Sequence, residues 1–420
     1  MSKIAVVGAG ISGLACAWLL ARRHEVTLFE ANRYLGGHTN TVEVTLEGRT
    51  HPVDTGFLVF NDRTYPRLIR LFEHLGVAST PSEMSFSVRI GDGELEWAGT
   101  NVAAVFAQPA NLVRPRFLRM LRDVVRFNRE ATRLATAGSA LRGTLGEFLD
   151  DGGYGKELRA LYLLPMAACI WSTPSTRINL FPLRTFVDFC HNHGLLALSN
   201  RPQWRSVAGG GREYVRRLRE GIADVRLGVA VRQVRRLPDR VIVATDHGPE
   251  RFDQVVLATH TDQSLAMLEH ASAEERTVLK AIPYQPNRAV LHTDARLMPR
   301  RKRAWAAWNF HAAREEQSDA PVSLSYYLNR LQALPFTQPV VVTMNPIEEP
   351  DPVRVIAEFD YDHPAFLEES DAAKGRLADI QGRRRTWFAG AWTGHGFHED
   401  GLASAIAVAS RLGAAVPWSA

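Results

Sequence analysis

Lys3-Ile4-Ala5-Val6-Val7-Gly8-Ala9-Gly10-Ile11-Ser12-Gly13 is the stretch on which the fold reading turns. Residues 3–7 form a short apolar, β-branched run of the kind buried in a parallel sheet. Gly8, Gly10 and Gly13 follow as G-x-G-x-x-G, and Leu14 to Arg23 reads as an Ala- and Leu-rich helix. Glu25-Val26-Thr27-Leu28-Phe29-Glu30 reads as a second strand, completing a βαβ start. The first glycine permits the tight turn, the second lets backbone approach a pyrophosphate, and the third lets helix pack on strand. A pyrophosphate would sit at the helix N-terminus, where free N–H groups and the dipole favour anions. Glu30 lies 17 residues after Gly13, in place to accept ribose hydroxyls, and its charge disfavours a 2′-phosphate. Gly36-Gly37-His38 and Asp54-Thr55-Gly56-Phe57 come soon after, more glycine than a plain NAD site needs.

The chain has 420 residues, enough for two or three domains. Apolar types at 45% and charged types at 23% exclude disorder or fibre as the main state. The formal charge of +5 is too small to argue for nucleic acid. Lysine occurs only at Lys3, Lys156, Lys280, Lys302 and Lys374, so arginine supplies the rest of the 50 basic residues. Cys16, Cys169 and Cys190 share no metal-ligand spacing and read as buried hydrophobes in a reducing compartment. His191-Asn192-His193 has no third ligand at suitable spacing, so hydrogen bonding rather than metal binding is expected there. No signal peptide or membrane-spanning run is visible, and a cytoplasmic protein that can touch a membrane surface is expected.

From about 80 to 200 the pattern reads as helical, broken at Pro109, Pro115, Pro165, Pro174 and Pro182. Val229–Val234, Arg240–Ala244 and Gln254–Ala258 read as hairpin strands feeding a buried strand. Residues 283–365 alternate β-rich runs with turns, 386–390 reads as a last buried strand, and Gly401–Leu412 as a closing helix. The expected fold class is α/β. A Rossmann-type dinucleotide domain is built from 1–78, 203–281 and 376–420. An inserted α+β substrate domain is built from 79–202 and 282–375.

Taken together, these blocks resemble the flavin-containing amine oxidase superfamily, with its phytoene-desaturase-like and protoporphyrinogen-oxidase-like branches. Gly8–Gly13 with Glu30-Ala31 looks like its FAD fingerprint, and Gly36-Gly37-His38 like its Gly-Gly-Arg with histidine in the arginine place. Asp54-x-Gly56 resembles its Asp-x-Gly-Gly, with Phe57 at the second glycine. Gly209-Gly210-Gly211 followed by Val231 resembles the segment on the adenine side. Phe388-Ala389-Gly390 followed by Gly401-Leu402 resembles the C-terminal flavin block, with Ala391 where the superfamily has an acid. A bacterial subgroup of NAD/FAD-binding proteins is closer still. It is matched by Tyr162–Met166, Ile170–Pro174, His191–Gly194, Pro283–Arg288 and Trp392–Gly401, and some of its members resemble flavin enzymes that dehydrogenate methylated or unsaturated fatty acyl chains on the route to furan and methyl-branched fatty acids. The resemblance implies FAD, bound without a covalent link since no cysteine lies in the C-terminal block. It also implies that Gly8, Gly10, Ile11, Ser12, Gly13, Glu30, Ala31, Gly36, Gly37, His38, Gly56, Phe57, Val231, Gly390, Ala391, Gly401 and Leu402 hold the cofactor.

Amine oxidases of this superfamily carry a lysine near flavin N5. Its place falls at Ala289, beside Arg288, and the flanking aromatic falls near His398. Their loss points away from amine oxidation, the alternative reading, and toward C–H dehydrogenation by hydride transfer to flavin N5. A flavin-binding subunit without turnover is a third reading. Candidate catalytic residues are His398, His395 and Tyr284, the histidines as proton acceptors and Tyr284 with a pocket wall or plain core as its other reading, while His38 is more suited to the cofactor. The expected substrate is an apolar small molecule or a membrane phospholipid acyl chain, with no metal and no nucleic acid involved. Phe117, Leu118, Leu121, Val124 and Val125 recur on one face of a helix that carries Arg114, Arg116, Arg119, Arg122, Arg126, Arg129 and Arg133. Such a helix suits an anionic bilayer, or packs inward as an ordinary domain helix. Arg300-Arg301-Lys302-Arg303 before Trp305 and Trp308 is a second basic and aromatic cluster suited to an interface.

Overall fold

The computed structural model describes residues 1–137, 141–171, 175–197, 201–313, 322–366 and 368–418. Pro174 and the Ser172–Pro174 end of the Ile170–Pro174 block lie outside the described residues. Lys3–Val7 is the central strand of a five-stranded sheet in the order Asp224–Leu227, Glu25–Glu30, Lys3–Val7, Gln254–Leu257, Thr386–Phe388. Every pairing in it is parallel. Its strands come from three distant stretches of chain, so the sheet closes only when the last one returns. The helix Ile11–Leu20 is buried on all sides. It packs on the helices His398–Arg411 and Arg212–Glu220, which explains an apolar composition without a polar face.

A second, seven-stranded sheet runs Val355–Asp360, Arg288–His292, Val341–Met344, Ser323–Tyr327, Trp308–Ala312, Phe86–Ile90, Leu95–Ala98. All its pairings are antiparallel except that of Phe86–Ile90 with Trp308–Ala312. The helical reading from residue 80 therefore needs correction. Ser79–Ser82, Phe86–Ile90 and Leu95–Ala98 are strands, and helices begin only at Val102. Gly91 and Gly93, both at positive φ, turn the last two strands into a hairpin, and pairing with a strand more than two hundred residues away overrides local pattern. Gly248–Phe252 is a strand missing from the sequence reading. It completes an antiparallel meander with Val231–Arg236 and Val241–Thr245.

Pro115–Thr136 is one helix, as the arginine-rich pattern predicted. Its buried stripe is rotated from the expected one. Phe117, Met120, Phe127 and Ala131 are in the core, while Leu118 is 43% and Val125 51% exposed. The Arg300–Arg303 cluster is also tied inward. Buried Glu96 accepts from the Arg300 and Arg301 backbone (2.6 and 3.2 Å) and pairs with the Arg301 guanidinium at 2.8 Å. Arg159–Leu163 adopts a π-helical turn immediately before Pro165, which relieves the bond and the space a proline cannot share with an α-helical turn. Among the described residues, no helix is long and apolar enough to cross a membrane.

Arg236 and Glu275 form an ion pair with side chains 0% and 2% exposed, and Arg236 also donates to His270 O at 3.0 Å. Removing one partner leaves the other charge buried and uncompensated. Glu275→Gln is expected to lower unfolding stability by about 3–5 kcal/mol, read as an earlier urea transition.

Candidate active site

Backbone crowding shapes the amino-terminal turn. A Cβ on Gly13 would lie 1.7 Å from Gly8 O, and one on Gly8 (φ +95°) 2.7 Å from Ala258 O. A Cβ on Gly10 would meet nothing within 4 Å, so the space over this residue is open to a ligand. Gly10 caps the first helix with no side-chain hydrogen bond, which leaves the first-turn N–H groups for an anion. Glu30 is buried. It accepts from Ala9 N at 2.7 Å and Asn32 N at 2.8 Å, and each oxygen keeps a lone pair for a ribose hydroxyl. Gly36 N donates to Ala9 O at 2.9 Å, and a Cβ on Gly37 would come within 3.2 Å of Gly10 Cα. The second glycine pair therefore packs directly on the first turn. Gly56 in turn lies against His38 O. These features fit an adenine dinucleotide.

The turn opens into a cavity of about 1470 Å³, more than the roughly 300–1,000 Å³ of a single small-molecule pocket. Gly8, Gly10, Ile11, Ser12, Glu30, Ala31, Gly36, Gly37, His38, Gly56, Phe57, Val231, Gly390 and Ala391 all line it, as do Tyr284, His395 and His398. Gly13, Gly401 and Leu402 lie behind the wall. Gly401 packs on Ser12 Oγ and Ile11 Cγ2, and Leu402 is fully buried. Gly401 sets how closely the first and last helices approach, and Gly13 how closely the first helix approaches Gly8 and Ala258. Beyond Phe57 the wall turns apolar and aromatic, with Trp97, Leu121, Val124, Tyr162, Met166 and Trp171.

The histidines differ sharply in setting. His398 stacks on Phe57 at 3.7 Å and shares a 2.9 Å hydrogen bond with Thr39 Oγ1. Burial pushes its pKa down to about 3, which makes it a neutral hydrogen-bonding group rather than a strong base. His395 is exposed on the same turn, where its backbone N–H and that of Phe397 donate to Asp400 Oδ2. Tyr284 stacks on His260 at 4.0 Å, and burial raises its hydroxyl pKa. His193 hydrogen-bonds Phe189 O at 2.9 Å and is pushed down to about 4, again by burial. Among the described residues no group of His, Cys, Asp or Glu is arranged to hold a metal ion. Ala289 is buried, Arg288 points outward to Glu349 and Glu358, and no lysine lines the cavity among the described residues.

Sequence reasoning missed His260, His363 and Tyr361, which meet His38 at the cavity wall. His260 had a readable signal, since it follows the carboxyl end of a parallel strand, where open α/β sheets bind ligands. His363 had none, because only the second sheet brings it near.

Gly13→Ala is expected to abolish flavin dinucleotide binding. Glu30→Gln, losing charge while keeping shape, should weaken it by roughly tenfold or more, in line with about 1.5–3 kcal/mol for hydrogen bonds to a charged group. Titration of apoprotein followed by flavin fluorescence checks both.

Similarity to solved structures extends over nearly the whole chain. A CLA-producing fatty acid isomerase from P. acnes matches with 15% identity and a TM-score of 0.69, covering 98% of this chain and 99% of that one. A putrescine oxidase structure bound to putrescine matches with 16% identity and a TM-score of 0.69, covering 98% of each chain. Cyclohexylamine oxidase from Brevibacterium oxydans matches with 16% identity and a TM-score of 0.66, covering 98% of this chain and 99% of that one. At such identities the likeness is one of fold. The family model for flavin containing amine oxidoreductases matches residues 11–413. With the glycine turn, Glu30 and the cavity that continues from them, it identifies the chain as an FAD-dependent oxidoreductase belonging to the flavin containing amine oxidoreductase family.

Proposed function

We propose that the protein dehydrogenates a C–H bond of an apolar substrate, a fatty acyl chain of a membrane lipid. Residues 1–78, 203–281 and 376–420 would hold the cofactor, and 79–202 and 282–375 the substrate. The observation that carries this reading is the far half of the cavity. Its aromatic and aliphatic wall runs up to Leu121, Val124 and Val125 on the basic helix. An acyl chain gains about 0.8 kcal/mol per buried CH₂ in such surroundings. FAD, when bound, would supply the two-electron (hydride) acceptor that dehydrogenation needs. The protein's part is to exclude water, align two adjacent substrate carbons, and accept the proton released as the double bond forms. His395, exposed at the cavity rim, is the acceptor proposed here. His398 would hold Phe57 and Thr39 in position.

The outer side of the same region supports contact with an anionic bilayer. Val102, Leu112, Val113, Leu118 and Val125 are 75%, 55%, 79%, 43% and 51% exposed within one run of chain. Arg129 and Arg133 are exposed beside them. Other arginines are partly spent on the protein: Arg119 pairs with Glu157 at 2.7 Å and Arg122 with Asp123 at 3.2 Å. Binding should therefore rest on the apolar side chains at least as much as on charge. The alternative, oxidation of a small amine, is favoured by the amine oxidases among the structural neighbours.

Anaerobic mixing with phosphatidylglycerol vesicles should bleach the flavin band near about 450 nm, and putrescine should not. Bleaching by amines alone would overturn the acyl reading. Vesicle sedimentation at low salt should show binding that falls by at least about thirtyfold in Leu118→Glu/Val125→Glu, since each change removes apolar burial and adds repulsion of about 1 kcal/mol from the anionic surface.

A further inference from the structure

Three histidines from separate parts of the chain meet beside the glycine turn. The His38 ring lies 5.4 Å from that of His363 and 6.3 Å from that of His260, and all three line the cavity. Two of them are anchored directly on the turn. His38 follows Gly37, which packs on Gly10, and His260 follows closely on Ala258, whose carbonyl lies against Gly8. The Asp362 backbone takes one hydrogen bond from the His38 ring, and Nε2 is sealed from solvent with no partner. Asn287 Nδ2 donates to His363 Nδ1 at 3.3 Å. Among the described residues, Arg201 and Arg232 are the arginines in the cavity wall.

We propose that His38, His260 and His363 form a proton-loading subsite for the pyrophosphate of the dinucleotide. Binding of this dianion places a proton on the cluster, so affinity rises as pH falls. The proposal rests on a flavin dinucleotide occupying the glycine turn.

Without an anion the cluster is held neutral. Burial and repulsion among the three rings, with His398 adding to it, keep His38 well below the ordinary histidine range, and His363 is pushed down to about 4. Burial also lowers His260, while the carboxylates of Asp262 and Asp362 pull it back up. Tyr284, on the face of His260, stays neutral because burial raises its pKa. Tyr361, on the face of His38, is pushed up to about 12, and its hydroxyl meets Thr55 Oγ1 at 2.8 Å and Asn40 Nδ2 at 3.1 Å. A bound dianion reverses the balance for the histidines, since opposite charge nearby raises their pKa. Between the free and bound pKa values each binding event takes up a proton, and affinity gains up to about tenfold for each unit the pH falls. The diester phosphates of FAD keep their charge throughout, so the slope belongs to the protein.

Calorimetric titration of apoprotein with FAD, in two buffers of different ionisation heat between pH 5 and 8, counts the protons directly. The expected result is uptake of up to about one proton, with affinity falling as pH rises. His38→Arg, a fixed cation, should bind FAD with a flatter pH profile, and His363→Asn should reduce the uptake. His24→Gln, remote from the cavity at Leu412 O, should change neither. FAD binding without proton uptake in the wild-type protein would overturn this proposal alone, even if the variants fail to fold. Absence of FAD binding at every pH would overturn the cofactor assignment as well.

Discussion

Two glycine-bearing turns pressed backbone to backbone are the constraint on which the rest depends. A Cβ on Gly37 would come within 3.2 Å of Gly10 Cα, a Cβ on Gly10 would instead enter the open space left for a ligand, and Gly36 N donates to Ala9 O. Glu30 holds the assembly from below by accepting from Ala9 N. The helix Ile11–Leu20 then points its unsatisfied N–H groups at open space, which is the arrangement an anion needs. Gly401 repeats the theme from the far end of the chain, because a larger residue would push the last helix off Ser12 and Ile11.

The cavity joins two environments that make opposite demands. Near the glycine turn it is polar, with main-chain donors and a buried carboxylate. Beyond Phe57 it is aromatic and aliphatic. The Phe57–His398 stack lines the same cavity, and burial keeps that imidazole neutral. A charged histidine there would need a counter-ion that the apolar half does not offer. The same logic explains why basic residues cluster outside. The helix Pro115–Thr136 turns Phe117, Met120 and Phe127 inward and keeps its arginines on the outer side, where Arg119 meets Glu157, Arg122 meets Asp123 and Arg126 donates to Gly152 O.

How much could be read in advance follows from the range of the forces involved. The βαβ start, the parallel sheet and the arginine-rich helix were legible because each is written in local periodicity and in glycines with no other use. The strands at Phe86–Ile90 and Leu95–Ala98 were not, because their stability comes from pairing with Trp308–Ala312. The helix face was misjudged by part of a turn, since both Phe117 and Leu118 are apolar and only packing decides which is buried. Most residues expected at the cofactor do line the cavity, while Gly401 and Leu402 support it from behind.

The amino-acid sequence by itself determined the dinucleotide turn, its acidic partner and the absence of a lysine at Ala289, because these are covalent facts about side chains present or missing. Only the tertiary structure decided that His38 shares its surroundings with His260 and His363, and that the basic helix walls the same cavity. Those neighbours lie hundreds of residues apart along the chain. Burial and mutual repulsion, which set the charge of the histidines, exist only once the two sheets have closed around them.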